Sequence, residues 1–372
     1  MMHTLDRTIA RPLLGALWLC VASLSAGCGD VGAGDSPGDP DIADGSFADR
    51  LEIRLVTDEA EAVLAILDLR AADRTPGGDD WRRLFSSEGY TRLAAREQSM
   101  GRPFEDSTFR AFALSDELLE RAPALRETLE AWARADLRAA ARRAFRYLPA
   151  GTEIRAKVYP SIKPATNSFV FEPATDPAIF LYLDPDVSPE TFANIVAHEL
   201  HHIGVAGACA DAPADGALGE DAAAAARWMG AFAEGLAVLA AAGGPDVHPH
   251  ASSEADARAV WDRDFANVER DMRRLERFFL DVANGRLSEA EQRERAFRFF
   301  ATEEVPQGAF YTVGWLMAAT VERAYGREHL VELVCDDRRL LAEYNRAAAE
   351  RNRTAETPLP LWSDSLLAAV GA

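Results

Sequence analysis

Residues 188–203 of this 372-residue chain read SPETFANIVAHELHHI. Ser188 is a suitable helix N-cap, and Pro189 suits the first helical position because no intrahelical partner is needed there for its missing N–H. Apolar side chains then recur on one face, at Phe192, Ile195, Val196, Leu200 and Ile203. The stretch therefore predicts one long amphipathic helix that also carries three histidines, with Glu199 directly after the first of them.

His198-Glu199-Leu200-His201-His202 in this helix follows the pattern H-E-x-x-H. Residues four apart lie on the same face, about 6 Å apart along the axis, so His198 and His202 can converge on one metal ion. Glu199 would lie beside that ion and take a proton from bound water, whose pKa zinc lowers to roughly 7. His201 falls opposite the apolar face, and we expect it to be exposed to solvent.

A zinc peptidase needs a third protein ligand and an open coordination position. The metzincins have glycine and histidine at the places where this chain has Val205 and Ala208, so that class is excluded. Glu234 fits best, because it is the single charged residue of the apolar run 229–239 and a lone buried carboxylate is costly unless paired or bound to metal. Gly235 would let its helix approach the metal helix closely.

Other polar residues compete with Glu234 for the role of third ligand. Glu220 and Asp221 are better explained as the start of a helix, where acidic side chains interact favourably with the helix dipole. His248 and His250 form an H-x-H pair in a loop, which is weaker evidence than a carboxylate isolated in an apolar run. We therefore expect one Zn²⁺, held by the two histidines of the motif and Glu234.

These motifs resemble those of the gluzincin metallopeptidases. In that family H-E-x-x-H is followed by a helix bearing the glutamate ligand, often as Glu-Gly-x-Ala, and this chain has Glu234-Gly235-Leu236-Ala237. Tyr311-Thr312-Val313-Gly314 is similar to the Tyr-x-x-Gly of the aminopeptidase N family. The resemblance implies a zincin-like catalytic domain over residues 151–372. It also implies that Tyr311 donates a hydrogen bond to the tetrahedral oxyanion.

The chain departs from aminopeptidase N in two respects. The longer gap between His202 and Glu234 implies an inserted loop at about residues 205–220, and the Gly-x-Met-Glu-Asn strand that recognises a free amino terminus is absent. The chain looks more like the uncharacterised zinc-dependent peptidases among bacterial lipoproteins, which share His-Glu-x-His-His and a segment like residues 81–96. We expect hydrolysis of peptide bonds in a peptide or protein substrate. The alternatives are a metal-binding lipoprotein without peptidase activity and a zinc hydrolase of another amide or ester.

The N-terminus has the features of an export signal. Arg7 and Arg11 precede an apolar run at 12–22 that is too short to span a bilayer comfortably. Leu24-Ser25-Ala26-Gly27-Cys28 resembles a bacterial lipobox, which implies a signal peptide at 1–27 and lipidation of Cys28. Residues 28–50 are rich in Gly, Asp and Pro and predict a flexible tether. We expect an exported lipoprotein, facing the periplasm or the cell surface, that contacts the membrane only through this anchor.

Charge and the remaining cysteines give two further expectations. A net charge of −20 repels phosphate backbones, so nucleic-acid binding is not expected. Cys209 and Cys335 are the cysteines left after export and lipidation. In an oxidising compartment they either form a disulfide or lie as two separate buried thiols. The sequence carries no signal for an oligomeric state.

Periodicity predicts an α+β, mainly helical fold. A helical N-terminal region occupies residues 51–150, and three short strands follow at 154–159, 168–171 and 179–183. The last strand precedes the metal helix and, as an exposed edge, would pair with an extended substrate. Further helices are predicted at 221–242, 255–283, 288–301, 309–325 and 327–351.

Overall fold

The computed structural model of the protein describes residues 47–210, 218–302 and 305–372. The predicted signal peptide, Cys28 and most of the predicted tether lie outside the described residues. The last four residues of that tether belong to the folded part instead. Phe47 is fully buried, and its ring meets the edge of Phe145 with centroids 5.1 Å apart, because a large aromatic ring gains free energy when it leaves water.

A four-stranded sheet forms the centre of the N-terminal half, in the order β1-β2-β4-β3. Its strands are β1 (Leu51–Leu55), β2 (Ile154–Ser161), β3 (Phe169–Phe171) and β4 (Ala178–Tyr182). β2 runs parallel to both β1 and β4, whereas β3 is antiparallel to β4. β1 is an addition to the three predicted strands and lies in the region predicted to be helical. Its alternation of apolar and charged residues is the period-two signal of a strand with one solvated face.

The expectation that residues 179–183 form an exposed edge is wrong. β4 pairs with β2 on one side, where Val158 lies opposite Ile179, and with β3 on the other, where Phe169 lies opposite Phe180. Its backbone groups are therefore largely committed to the sheet. The edge position beside β4 belongs to the three-residue strand β3.

Helices make up most of the remaining structure, so the predicted α+β, mainly helical class is confirmed. Between β1 and β2 the chain forms α1 (Asp58–Ala71), α2 (Gly78–Phe85), α3 (Glu88–Ser99), α4 (Asp106–Ala113), α5 (Asp116–Ala133) and α6 (Leu137–Phe145). After β4 come α7 (Pro189–Ala208), α8 (Glu220–Met229), a 3₁₀ turn (Gly230–Phe232), α9 (Ala233–Ala242), α10 (Ala255–Phe265), α11 (Val268–Ala283), α12 (Glu289–Phe297), α13 (Ala309–Tyr325), α14 (Arg327–Leu333), α15 (Asp337–Arg351) and α16 (Asp364–Val370). Three of the helices predicted after the sheet, at 221–242, 255–283 and 327–351, are each divided in the structure, the first of them by the 3₁₀ turn between α8 and α9.

Two large apolar clusters organise the described residues. The first joins the N-terminal helices, the sheet and one face of α7, which contributes Phe192, Val196 and Leu200. This first cluster includes residues on both sides of residue 150, where the sequence predicts the boundary between the N-terminal region and the catalytic domain. The N-terminal helices and the sheet therefore share one core. The second cluster joins α8 to α16 and includes Phe232 and Tyr311. α7 and α9 pack against each other where the two clusters meet.

A disulfide links Cys209 to Cys335. Cys209 is the C-cap of α7, and Cys335 lies between α14 and α15. The bond therefore ties the end of the predicted metal helix to the C-terminal helices. Within the described residues, no helix has both the length and the apolar character needed to cross a membrane.

Candidate metal centre

Helix α7 forms where the sequence predicts it. The Ser188 hydroxyl accepts a hydrogen bond from the Thr191 N–H at 3.1 Å, and Pro189 occupies the first helical position. The apolar face of α7 packs onto the first cluster. This leaves His198 and His202 on a different face, pointing toward α9.

Three donor atoms meet at this point. His198 Nε2 lies 3.0 Å from His202 Nε2 and 3.3 Å from Glu234 Oε2, and His202 Nε2 lies 3.2 Å from the same oxygen. A tetrahedral zinc ion bound at about 2.0–2.1 Å separates its ligand atoms by about 3.3 Å. The triangle therefore has the size that one zinc ion requires. Among the described residues, this is the one cluster of at least three His, Cys, Asp or Glu side chains with that potential.

The charges at the triangle suit a cation. Burial raises the pKa of Glu234, but His202 and hydrogen bonds from both histidines outweigh burial and bring its pKa to about 2. Burial lowers the pKa of His202, and Glu234 more than offsets that effect, so the His202 pKa is raised. Glu234 is therefore an anion at neutral pH, as a metal ligand must be.

Glu199 lies beside the triangle and is almost completely buried. Its Oε1 has no hydrogen-bond partner among the described residues. Burial raises the pKa of Glu199, Glu234 raises it further, and His198 and His202 partly offset the increase. A buried carboxylate oxygen without a partner is unusual, and a metal-bound water or a substrate would supply one.

His201 is fully buried, so the expectation of an exposed side chain is wrong. The helical-wheel argument identified one apolar face of α7, but α6 and α9 cover the opposite side. Burial, together with His202 and His198, lowers the pKa of His201 to about 3, although the Tyr147 backbone offsets part of the effect. His201 is therefore a neutral residue of the interior that does not join the cluster of His198, His202 and Glu234.

Gly235 does permit a close helix contact, but the partner helix differs from the one predicted. A Cβ on Gly235 would lie 2.1 Å from the Trp315 backbone nitrogen and 2.5 Å from the Gly314 Cα, so the helix that approaches is α13 rather than α7. A Cβ on Gly314 would lie 2.8 Å from the Phe232 carbonyl oxygen. The sequence contained both glycines, one beside Glu234 and one in Tyr-x-x-Gly, but gave no indication that they face each other.

This contact brings Tyr311 next to Glu234. The Tyr311 ring stacks near His198 with centroids 6.4 Å apart, and its side chain is buried. Burial raises the pKa of Tyr311 well above its usual value, and the charges of Glu234 and Glu199 and a hydrogen bond with Glu234 raise it further. Tyr311 is therefore a neutral hydrogen-bond donor at the edge of the triangle.

The competing ligands lie elsewhere. Glu220 and Asp221 occupy the first turn of α8, as their interpretation as a helix start predicts. The His248 ring interacts with Asp262 at 3.2 Å and accepts a hydrogen bond from the His250 N–H at 3.0 Å. Neither of these histidines joins the cluster formed by His198, His202 and Glu234.

A family model described as "Putative zinc dependent peptidase (DUF5700)" matches residues 81–353, which is more than half of the chain. The chain belongs to this family of zinc-dependent peptidases. The matched range includes the three donor residues, Glu199 and Tyr311. The matched range begins at Trp81, the first residue of the segment 81–96 that the sequence analysis likens to the uncharacterised zinc-dependent peptidases. Searches of curated proteins and of solved structures find no match to the chain.

The family description and the cluster agree on the metal. Two imidazole nitrogens and one carboxylate oxygen form a donor set that zinc accepts readily, and they leave one position of a tetrahedron for water or substrate. A structural zinc site is usually closed by four protein ligands, often cysteines. In this peptidase both cysteines of the described residues are used in the disulfide. The site therefore has the composition of a catalytic zinc centre.

Proposed function

We propose that this protein hydrolyses peptide bonds as a gluzincin-type zinc peptidase, with one Zn²⁺ held by His198, His202 and Glu234. The observation that carries the proposal is the triangle of donor atoms, with sides of 3.0–3.3 Å, next to a buried carboxylate oxygen that no described residue pairs with. The family description supports the same reaction at a coarser level.

Glu199 is the proposed general base. When bound, zinc would polarise the scissile carbonyl and lower the pKa of a water. Glu199 would accept a proton from the attacking water and pass it to the leaving amine. The raised pKa of Glu199 favours this role, because a more basic carboxylate takes a proton more readily at neutral pH.

Tyr311 is the proposed oxyanion donor. As the substrate carbonyl becomes tetrahedral, its oxygen acquires negative charge, which a fixed donor in a water-poor site stabilises. Tyr311 stays protonated because burial raises its pKa. The contact between Gly235 and Gly314 holds its helix against the helix of Glu234. The donor and the metal ligand therefore keep a fixed relative position.

We also propose that the protein works outside the cytoplasm, as a lipoprotein anchored at Cys28. The disulfide supports an oxidising compartment, since such bonds rarely persist where thiols are kept reduced. Incorporation of a labelled fatty acid by cells that express the full chain, and its loss in Cys28→Ser, is the direct test.

The test of the peptidase proposal is cleavage of a diverse peptide library by the zinc-loaded protein. We expect cleavage by the wild type and by Glu127→Gln, an exposed control on α5, and none above background by Glu199→Gln. Zinc content is measured on all three proteins. Zinc-loaded wild type that cleaves no peptide would contradict the proposal and favour an ester or another amide as substrate, or a binding role.

A further inference from the structure

The first turn of α13, which carries Tyr311, has no side-chain cap. Its N-cap is Gly308, which has no side chain to accept the free N–H groups that open a helix. The Tyr311 and Thr312 N–H groups donate to the Gly308 carbonyl oxygen at 3.0 and 3.2 Å. The backbone position of Tyr311, the proposed oxyanion donor, therefore depends directly on where Gly308 lies.

Contacts from outside α13 fix the position of Gly308. The Gly308 N–H donates to the Phe300 carbonyl oxygen, and the Phe310 N–H donates to the Phe299 carbonyl oxygen, both at 3.0 Å. A Cβ on Gly308 would lie 2.0 Å from the same Phe300 oxygen, so a side chain at this position would collide with the backbone. These bonds hold the start of α13 to the residues that follow α12.

Asp264 makes a further contact with the segment before α13. It lies in the last turn of α10 and is only 3% exposed. Its Oδ2 accepts a hydrogen bond at 3.0 Å from the N–H of Gln307, the residue directly before Gly308. Its Oδ1 accepts a hydrogen bond from Arg263 Nε–H at 2.9 Å. Both oxygens are therefore used, and a carboxylate accepts hydrogen bonds more strongly than a neutral group does.

Aromatic rings hold α10 against the next turn of α13. The Trp315 ring meets Phe265 edge-on with centroids 5.3 Å apart, and it meets Trp261 edge-on with centroids 6.0 Å apart. Trp315 lies one turn after Tyr311, on the same side of α13. α10 therefore contacts α13 at two levels, through Asp264 before Tyr311 and through these rings after it.

We propose that Asp264 is a positioning residue for Tyr311, and that its hydrogen bond with Gln307 sets the first turn of α13 so that the Tyr311 hydroxyl stays beside Glu234. The inference rests on the proposed function, in which Tyr311 stabilises the oxyanion. Asp264 is not part of the candidate metal cluster and acts through the backbone of α13. Its effect can be large, because a displacement of about 1 Å in an active site can slow a reaction by about 100-fold.

Kinetics of Asp264→Ala is the first test, with Asp271→Ala as the matched control. Asp271 is an aspartate of α11 that is 2% exposed and accepts hydrogen bonds from Arg270 and Arg274 of the same helix. Asp264→Ala should lower kcat of the zinc-loaded enzyme by about tenfold or more with little change in KM, whereas Asp271→Ala should keep the wild-type kcat. Zinc content and thermal unfolding are measured on both. An equal loss of kcat in the two variants would overturn the proposal.

Combination with Tyr311→Phe tests whether Asp264 acts through the tyrosine hydroxyl. The Tyr311→Phe enzyme has no hydroxyl left to misplace, so adding Asp264→Ala should lower its kcat by less than about twofold. The double variant would then be about as active as Tyr311→Phe alone. A further loss of about tenfold in the double variant would overturn the proposal. A loss in Asp264→Ala while Tyr311→Phe keeps the wild-type kcat would overturn it as well.

Hydrogen exchange tests the contact in metal-free protein, without turnover. Mass spectrometry follows the amides of residues 305–315. Asp264→Ala should speed exchange of the Gln307 and Tyr311 amides by about tenfold, because a hydrogen bond to a charged group stabilises by that order. Asp264→Asn should speed it less, since a neutral oxygen accepts more weakly, and Asp271→Ala should not change it. Exchange at the wild-type rate in whichever Asp264 variant folds would overturn the proposal.

The two readouts separate this inference from the peptidase proposal. Peptide cleavage with a kcat that Asp264→Ala leaves unchanged would overturn the role of Asp264 and leave the peptidase function standing. No cleavage by the zinc-loaded wild type, together with faster exchange at the start of α13 in Asp264→Ala, would overturn the function and leave the positioning of α13 standing. Slower cleavage and faster exchange in the same variant would support both.

Discussion

The sequence predicted the positions of some residues at the candidate metal centre correctly and the environment of others wrongly. His198, His202 and Glu199 follow from a local motif on one helix, so three- to four-residue spacing was enough to group them. Glu234 was found by its isolation in an apolar run, which is also a local signal. The environment of His201 was not predictable in this way, because the helices that bury it are distant in sequence.

Tyr311 allows a specific test of the proposed oxyanion contact. Tyr311→Phe should lower kcat by about 100-fold or more, as loss of one oxyanion donor does elsewhere. KM and zinc content should change little, since the hydroxyl would act mainly in the transition state. Steady-state kinetics measures both constants.

Tyr325→Phe is the matched control. It is the last residue of the same helix, α13, where its ring packs under the guanidinium of Arg346, away from the triangle. This variant should retain wild-type kcat. A similar loss in both variants would indicate a general effect on α13 rather than a role of the Tyr311 hydroxyl.

Glu59 gives a prediction of pH-dependent stability away from the site. It is buried at the start of α1, where Oε2 accepts the Ile162 N–H at 3.1 Å and Oε1 has no described partner. Its pKa is raised from 4.5 to about 8, because burial outweighs the lowering effects of the Ile162 N–H and Lys163. The folded protein therefore binds more protons than the unfolded chain between these two values, and this residue's contribution to stability falls as pH rises through that window.

Glu59→Gln should remove this dependence. Relative to the wild type, the variant should become more stable between pH 5 and pH 8.5, by up to a few kcal/mol. Urea unfolding at several pH values provides the measurement, with the exposed Glu117→Gln as control. A stability difference that does not change with pH would show that Glu59 stays ionised in the fold.

At the scale of elements, regular local patterns were predicted and packing partners were not. Helix α7 forms where its N-cap residues predict it, and strands β2 to β4 form where the alternation of apolar and polar residues predicts them. β1 was missed because it is short and precedes a long helical region. The glycine of the Glu-Gly motif was correctly linked to a close helix contact, but the sequence could not tell which helix it meets.

Gly235→Ala tests the contact between α9 and α13. The new Cβ would lie 2.1 Å from a backbone nitrogen, so the helices would have to separate. Overpacking of this kind typically destabilises by about 1–3 kcal/mol, and here it would also shift Glu234 relative to the histidines. We expect lower unfolding free energy and weaker zinc binding, measured by denaturant titration and competition with a chelator.

Gly207→Ala on α7 is the control for that substitution. A Cβ at Gly207 meets no atom of the described residues within 4 Å, and alanine is favoured over glycine in a helix by about 1 kcal/mol. This variant should be slightly more stable than the wild type and should bind zinc normally. Equal zinc affinity in Gly235→Ala and Gly207→Ala would contradict the proposed role of the helix contact.

At the scale of the whole molecule, the disulfide closes a long loop. Cys209 and Cys335 are 126 residues apart, and in the chain-entropy model such a bond contributes about 4–5 kcal/mol. The double variant Cys209→Ala with Cys335→Ala should lose stability of this order in denaturant titrations. The wild type with reductant should match the variant, and the variant itself should not respond to reductant.

The metal ligands come from helices that belong to different apolar clusters. α7, with His198 and His202, packs on the first cluster, and α9, with Glu234, on the second. An ion that binds the folded state alone adds its binding free energy to folding. Bound zinc would therefore make the two halves unfold cooperatively, as one calorimetric transition, whereas the chelated protein could melt in two steps. In this fold, loss of the cofactor would then be a loss of cooperativity as well as of activity.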